Sequence, residues 1–272
     1  MSARPEGRIA ARFQALRARG DKALVVYLTA FDPSRERSMQ LLFDAARGGA
    51  DVLEVGVPWS DPSADGPVIQ RAMLRGLSAG ATLARTLDLC AELRQSIDTP
   101  MVLFGYYNPI LCYGPERFAR AAAAAGIDGV LVVDLPPEEA AELDLPLCAA
   151  GLCRVPLLAP TTSPARAWQI LQSPACGGFS YYVGLTGVTG AGHLDIADVT
   201  TRTTALRAAL PPESPPLAIG FGVKDEVTAA ALAQVPACDA VVVGSAIVQA
   251  QEQGDDIAAL VARLKRAVSA PR

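Results

Sequence analysis

Three carboxylates crowd one short stretch, "VLEVGVPWSDPSADGPVIQ", residues 52–70: Glu54, Asp61 and Asp65. Glu54 interrupts an apolar run. If that run is a strand, Val52, Glu54 and Gly56 share one face and Leu53, Val55 and Val57 the other. The all-apolar face belongs against helices, so Glu54 points into the interior near the strand's end, with Gly56 leaving space above it. An ionised, unpaired carboxylate there is costly, so it must be paired, protonated or functional. Burial raises its pKa, which suits a proton shuttle near neutral pH. The plainer reading is a structural glutamate held by a buried partner. In the following loop Asp61 precedes a proline, a common turn or cap position, and Asp65 precedes Gly66, where the chain can approach a ligand. Spacing alone does not choose between them. The loop's length and its Pro and Gly content mark it as functional.

A second chemistry is written in glycines. "GFGV" (220–223) and "VVGSAI" (242–247) offer Gly220, Gly222, Gly244 and Ser245 as backbone donors for a phosphate dianion, which needs no lysine at a helix N-terminus. The competing reading is two tight turns. "YYVGLTGVTGAGH" (181–193) carries Gly184, Gly187, Gly190 and Gly192 and reads as a movable lid. The single histidine, His193, stands at its edge and reads as a surface residue.

These residues need a scaffold. Short β-rich runs begin at Ala23, Asp51, Met101, Gly129, Arg154, Gly178, Pro216 and Ala240. Continuous apolar runs of this length suit parallel strands buried on both faces. Between them lie stretches of helical period, such as "SMQLLFDAARGGA", "ATLARTLDLCAELRQ" and "PERFARAAAAAGI", several ending in glycine. "DDIAALVARLKRAV" closes the chain, and Ile9, Phe13 and Leu16 mark an amphipathic helix before the first strand. Eight alternating β/α units predict an α/β protein: an eight-stranded parallel (β/α)8 TIM barrel with an extra N-terminal helix, one domain over residues 1–272. A doubly wound sheet competes, but "YLTAFDPS" has no GxGxxG after the first strand. In a barrel, the site lies at the C-terminal ends of the strands, where all of these motifs fall.

Composition narrows the function. A formal net charge of −4 gives no support to nucleic-acid binding. No apolar run approaches the ~20 residues of a membrane span, and the N-terminus lacks an apolar signal core, so a cytoplasmic protein is expected. The six cysteines form no CxxC pair and read as buried free thiols; with one histidine, no zinc site is expected.

Taken together the motifs resemble the tryptophan synthase α subunit family over nearly the whole chain. "LEVGVPWSDPSADGPVIQRA" is the most specific match, and "GYYNPI", "DLPPEE", "APTTS", "TGVTGA", "GFGV" and "VVGSAI" follow in the family's order. The resemblance implies a lyase that splits indole-3-glycerol phosphate into indole and glyceraldehyde 3-phosphate. It places Glu54 as acid and base and Asp65 at the indole nitrogen, thereby choosing Asp65 over Asp61. It implies Tyr181 near Glu54, a phosphate site of Gly190, Gly220, Gly222, Gly244 and Ser245, and an indole pocket bordered by Tyr27, Phe104, Tyr106 and Phe221. No metal or organic cofactor is implied in this subunit; pyridoxal phosphate would belong to a β subunit in an αββα assembly. "SDPSADGP", and "DLPPEE" around Pro136, match surfaces that face that partner, and the second and sixth loops would couple the two sites. Phe31 departs from the usual glycine before Asp-Pro and is expected to alter the pocket mouth or the partner interface. Val26 stands where proline is frequent and Trp59 where phenylalanine is usual; "GHLDIADVTTRT" has no clear match. A stand-alone lyase and a barrel that only activates a partner remain the alternatives; a metal-dependent sugar-phosphate epimerase would be expected to show several histidines.

Overall fold

The computed structural model describes residues 7–184, 195–220 and 222–269. Nine strands form one sheet: β1 (Ala23–Thr29), β2 (Val52–Gly56), β3 (Met101–Gly105), β4 (Gly129–Val132), β5 (Cys153–Arg154), β6 (Leu157–Leu158), β7 (Ser180–Val183), β8 (Leu217–Gly220) and β9 (Ala240–Val243). Their order is β5-β4-β3-β2-β1-β9-β8-β7-β6, and every pairing is parallel. The run expected as one fifth strand is two short pieces, because Pro156 has no N–H to give the ladder. The sheet still curls round on itself there. Val155 N–H donates to the Val130 carbonyl at 2.9 Å, and the Pro156 carbonyl accepts from Tyr181 N–H at 2.9 Å. The two sheet edges are thus the two ends of one six-residue stretch, and the eight-fold plan stands.

Alternation along the strands divides the core in two. Leu53, Val55 and Val57 join the shell between sheet and helices, with Leu24, Val26, Leu28, Ile219 and Val241. Val25, Val52, Val102, Leu131, Ala218 and Val242 fill the interior. The first helix, Arg8–Ala18, buries Ile9, Phe13 and Leu16 against the interior residues. Phe13 and Phe179 ring centres are 5.7 Å apart. Gly178 leaves room for this helix: a Cβ there would meet Ile9 at 3.0 Å.

The lower rim repeats one device. Asp51, Asp128 and Asp239 each precede a strand and accept the N–H of Leu24, Met101 and Leu217, the first or second residue of a nearby strand, at 2.8 or 2.9 Å. Each also meets a cation from a helix: Lys265 with Asp51, Arg8 and Arg94 with Asp128, Arg207 with Asp239. These aspartates register the strands at the end of the barrel away from the site. Among the described residues no helix is long and apolar enough to cross a membrane. None of the six cysteines forms a disulfide, but only four are buried; Cys112 is exposed and Cys148 half-buried.

Candidate active site

The strands deliver their carboxyl ends to a cavity of about 320 Å³ lined by Tyr27, Glu54, Asp65, Phe104, Tyr181 and Gly244, with apolar walls from Ile69, Val133, Leu157, Val183 and Val242. Glu54 is the register partner of Tyr27 on β1 and Val102 on β3. Its side chain is buried, and Oε1 has no hydrogen-bond partner among the described residues. Burial pushes its carboxyl up to about 8. It is therefore largely protonated at neutral pH, able to give a proton and then to receive one.

Asp65 reaches the same cavity from the loop after β2. Burial pushes its carboxyl up to about 6, against the pull of the Tyr106 hydroxyl, which donates to Oδ2 at 2.7 Å. The same hydroxyl accepts from the Ala64 N–H at 3.0 Å, so one phenol grips both the loop backbone and the carboxylate. The Gln70 amide donates to the Asp65 carbonyl at 2.8 Å from the first turns of helix Pro67–Ser78. Asp61 is exposed; its carboxylate accepts from Ser60 Oγ at 2.9 Å and its carbonyl from Ser63 N–H at 2.8 Å. Two buried carboxyls with separated pKa values, on one cavity, are suited to separate acid and base tasks.

Two glycines have reasons that strand alternation did not reveal. The space above Gly56 is not open: a Cβ there would lie 2.1 Å from the Tyr27 hydroxyl, which shares a 3.1 Å hydrogen bond with Thr29. Gly220 is a similar notch for Tyr181, whose hydroxyl would be 2.2 Å from an added Cβ. Each missing side chain lets a neighbouring phenol swing across the barrel mouth. Tyr27 then meets Phe104 edge-on, with 5.2 Å between ring centres. Burial, with the charges of Glu54 and Asp65, keeps the Tyr181 phenol protonated by raising its pKa well above the usual value.

A second cavity, about 460 Å³, opens beyond Tyr181, Val242 and Gly244, which it shares with the first. Gly222, at φ +80°, and Ser245 line it. Helix Ser245–Gln253 begins there, and its first intrahelical bonds run from Ile247 and Val248 N–H to the Gly244 carbonyl. The amides of Ser245 and Ala246 precede those bonds, as helix N-terminal donors do. Gly220 sits at the end of β8, packed against Tyr181. Gly190, Phe221 and His193 lie outside the described residues, as does most of the expected lid. Tyr106 stands behind Asp65 rather than on the wall of the larger cavities.

Phe31 does not shape the pocket mouth. It is fully buried in the helix-side core, under the Arg85 guanidinium at 5.0 Å. Its φ of +63° is left-handed, a conformation that a residue without Cβ adopts most easily. Ser38 Oγ accepts its N–H at 2.9 Å. Sequence reading also missed the network behind the site. Asp32, fully buried, takes both arms of Arg75 at 2.6 and 2.8 Å, and Arg75 and Arg71 share Glu252. No local pattern announces it, since the partners come from three distant segments.

A parallel β/α barrel with two buried carboxyls, one on β2 and one in the loop after it, on a cavity at the carboxyl ends of its strands has the architecture of an enzyme. A family model described as Tryptophan synthase alpha chain matches residues 13–270. The chain is 48% identical over 269 residues to the tryptophan synthase alpha chain of Laribacter hongkongensis, covering 97% of this chain and 99% of that one. It is 49% identical over 256 residues to that of Chromobacterium violaceum, covering 92% and 95%. Among solved structures, tryptophan synthase subunit alpha from Legionella pneumophila superposes with TM-score 0.87 at 36% identity, covering 96% of this chain and 98% of that one. Mycobacterium tuberculosis tryptophan synthase superposes with TM-score 0.88 at 32% identity, covering 97% and 99%. The chain belongs to the tryptophan synthase alpha chain family, lyases of tryptophan biosynthesis.

Proposed function

We propose that Glu54 and Asp65 carry out the cleavage of indole-3-glycerol phosphate, this family's reaction, within a single barrel domain over residues 1–272. The observation that carries the assignment is Glu54 Oε1, a buried carboxyl oxygen without a partner among the described residues, facing a cavity that Asp65 also enters. Protonated Glu54 gives its proton to indole carbon 3, and the ring becomes a protonated indolenine, a cation that keeps its N–H. Ionised Asp65 accepts the ring N–H and stabilises the positive charge that develops there. Glu54, now a carboxylate, takes the proton of the glycerol hydroxyl beside the breaking bond. The carbon–carbon bond electrons return to the ring, and indole and glyceraldehyde 3-phosphate separate. Glu54 ends protonated, as it began. The phosphate rests on the backbone of Gly222, Gly244 and Ser245, which line the second cavity; the family resemblance adds Gly190 and Gly220 to that group. Tyr27, Phe104 and Tyr181, on the wall of the first cavity, border the indole ring; the family resemblance adds Phe221.

No step calls for a metal or organic cofactor in this chain. The partner is a tryptophan synthase β subunit in an αββα assembly, which would hold the pyridoxal phosphate; the surfaces offered to it are residues 60–67 and the segment around Pro136. A cytoplasmic location fits this role. The test is indole release from indole-3-glycerol phosphate by the purified chain, with and without a β subunit. Weak cleavage alone and strong cleavage with the partner is the expected result. Fast cleavage unchanged by the partner would make it a stand-alone lyase, and none in either case would leave a barrel that only binds.

A further inference from the structure

Helices Pro67–Ser78 and Ser245–Gln253 both begin at the site. The first starts two residues after Asp65; the second starts at Ser245. They pack side by side, Val248 against Ile69, Ala72 and Met73. Farther along both helices four charges close into a neutral cluster. Glu252 Oε1 takes Arg75 at 2.6 Å, and Arg71 spans both carboxylate oxygens, at 3.1 and 3.4 Å. Arg75 turns its other edge to buried Asp32, whose carbonyl also accepts the Gln251 amide at 3.0 Å. Gly76 brings the helix close to β1's end: a Cβ there would meet the Ala30 carbonyl at 2.7 Å.

We infer that Glu252, with Arg75, is a positioning residue that sets the separation between the indole end of the site and its phosphate end. This rests on the reading above of which end takes which group. A helix is rigid over two or three turns, so clamping two of them at one place fixes the offset of their N-termini at another. Here one N-terminus carries Asp65 and the other carries the donors at Ser245. A substrate that must touch both is measured by that offset, whereas a small fragment that touches one end is not. Displacements near 1 Å in such an arrangement are enough to slow a reaction by up to about a hundredfold. Arg71 and Glu252 are partly exposed, so breaking their pairing leaves the fold largely intact.

The experiment compares Glu252→Gln and Arg75→Lys with the unmodified full chain. Three quantities are read: kcat/KM for indole-3-glycerol phosphate, inhibition by an indole-propyl phosphate long enough to span both ends, and inhibition by inorganic phosphate. The expected result is a loss of about tenfold in kcat/KM and in affinity for the spanning inhibitor, with phosphate inhibition changed less than about twofold. Arg75→Lys keeps the charge and loses the two-edged fork, so it should show the same split. Equal losses for both inhibitors would show a general loosening and overturn the inference, as would no change in either. Asp65→Asn is run alongside. If that variant turns over normally, the site reading itself falls; if it is dead while Glu252→Gln keeps full turnover and spanning affinity, only the positioning role falls.

Discussion

Replacing Glu54 by glutamine should abolish cleavage and change the pH dependence of stability. Folding moves the Glu54 carboxyl from an ordinary 4.5 to about 8 because burial disfavours its charge. The folded state therefore binds the extra proton, and stability is lost as pH rises from about 4.5 through about 8. At about 1.4 kcal/mol per pH unit, the loss reaches about 3 kcal/mol at pH 7 and levels off near 5 kcal/mol above pH 8. Glutamine cannot ionise, so it escapes this slope. Its buried amide carries a penalty of about 1–3 kcal/mol, independent of pH, if it finds no acceptor. Asp65 contributes in both proteins and cancels in the difference. Urea unfolding of the two proteins at pH 5, 7 and 9 reads the effect directly. The variant should gain on the parent by about 3 kcal/mol between pH 5 and 7, with a smaller further gain to pH 9. A difference that stays constant within about 1 kcal/mol would refute the claim that Glu54 is held protonated by burial.

The kcat/KM of the parent should be bell-shaped, falling below about 6 as Asp65 gains a proton and above about 8 as Glu54 loses one. Tyr106→Phe removes the 2.7 Å hydrogen bond to Asp65 and should move the acid limb upward; a limb that stays still would detach Tyr106 from the chemistry. Asp65→Asn should lower turnover by at least about a hundredfold while Asp61→Asn stays within a few-fold, since a neutral amide cannot stabilise the cationic ring; indole release by the two variants at neutral pH decides it, and the reverse ranking would exchange the assignments. Phe31→Gly should destabilise by about 2–3 kcal/mol, because the lost ring packing of about 3–5 kcal/mol exceeds the relief of a left-handed backbone, about 1–2 kcal/mol. A rise in its urea midpoint would mean the strain dominates.

Glu54 was legible because a period of two is unambiguous in a short strand: the all-apolar face leaves the carboxylate only the interior. The loop was different. Asp61 and Asp65 have the same chemistry and similar neighbours, and what separates them is Tyr106, brought over from the end of β3. Gly56 and Gly220 were visible as small residues, yet their purpose depends on phenols from Tyr27 and Tyr181 that arrive across the barrel. Phe31 stood out as a departure, but sequence gave no sign that its ring turns away from the mouth into the helix-side core. The break at Pro156 was in plain view and follows from a missing N–H, although the apolar run around it looks continuous. The Asp32–Arg75–Glu252 cluster had no local signature at all, as ion pairs between distant segments seldom do.

The helix from Arg8 to Ala18 has a consequence in time as well as in space. It is synthesised before every surface it will cover: Cys153 and Phe179 leave the ribosome long after Ile9 and Phe13. Until then its apolar stripe has no seat, and contacts so far apart along the chain form slowly. The stopper of the barrel must wait for the vessel. During that interval its sticky face is open to any passing chaperone or neighbouring chain, so a helix made before the barrel is among the last elements to be shielded.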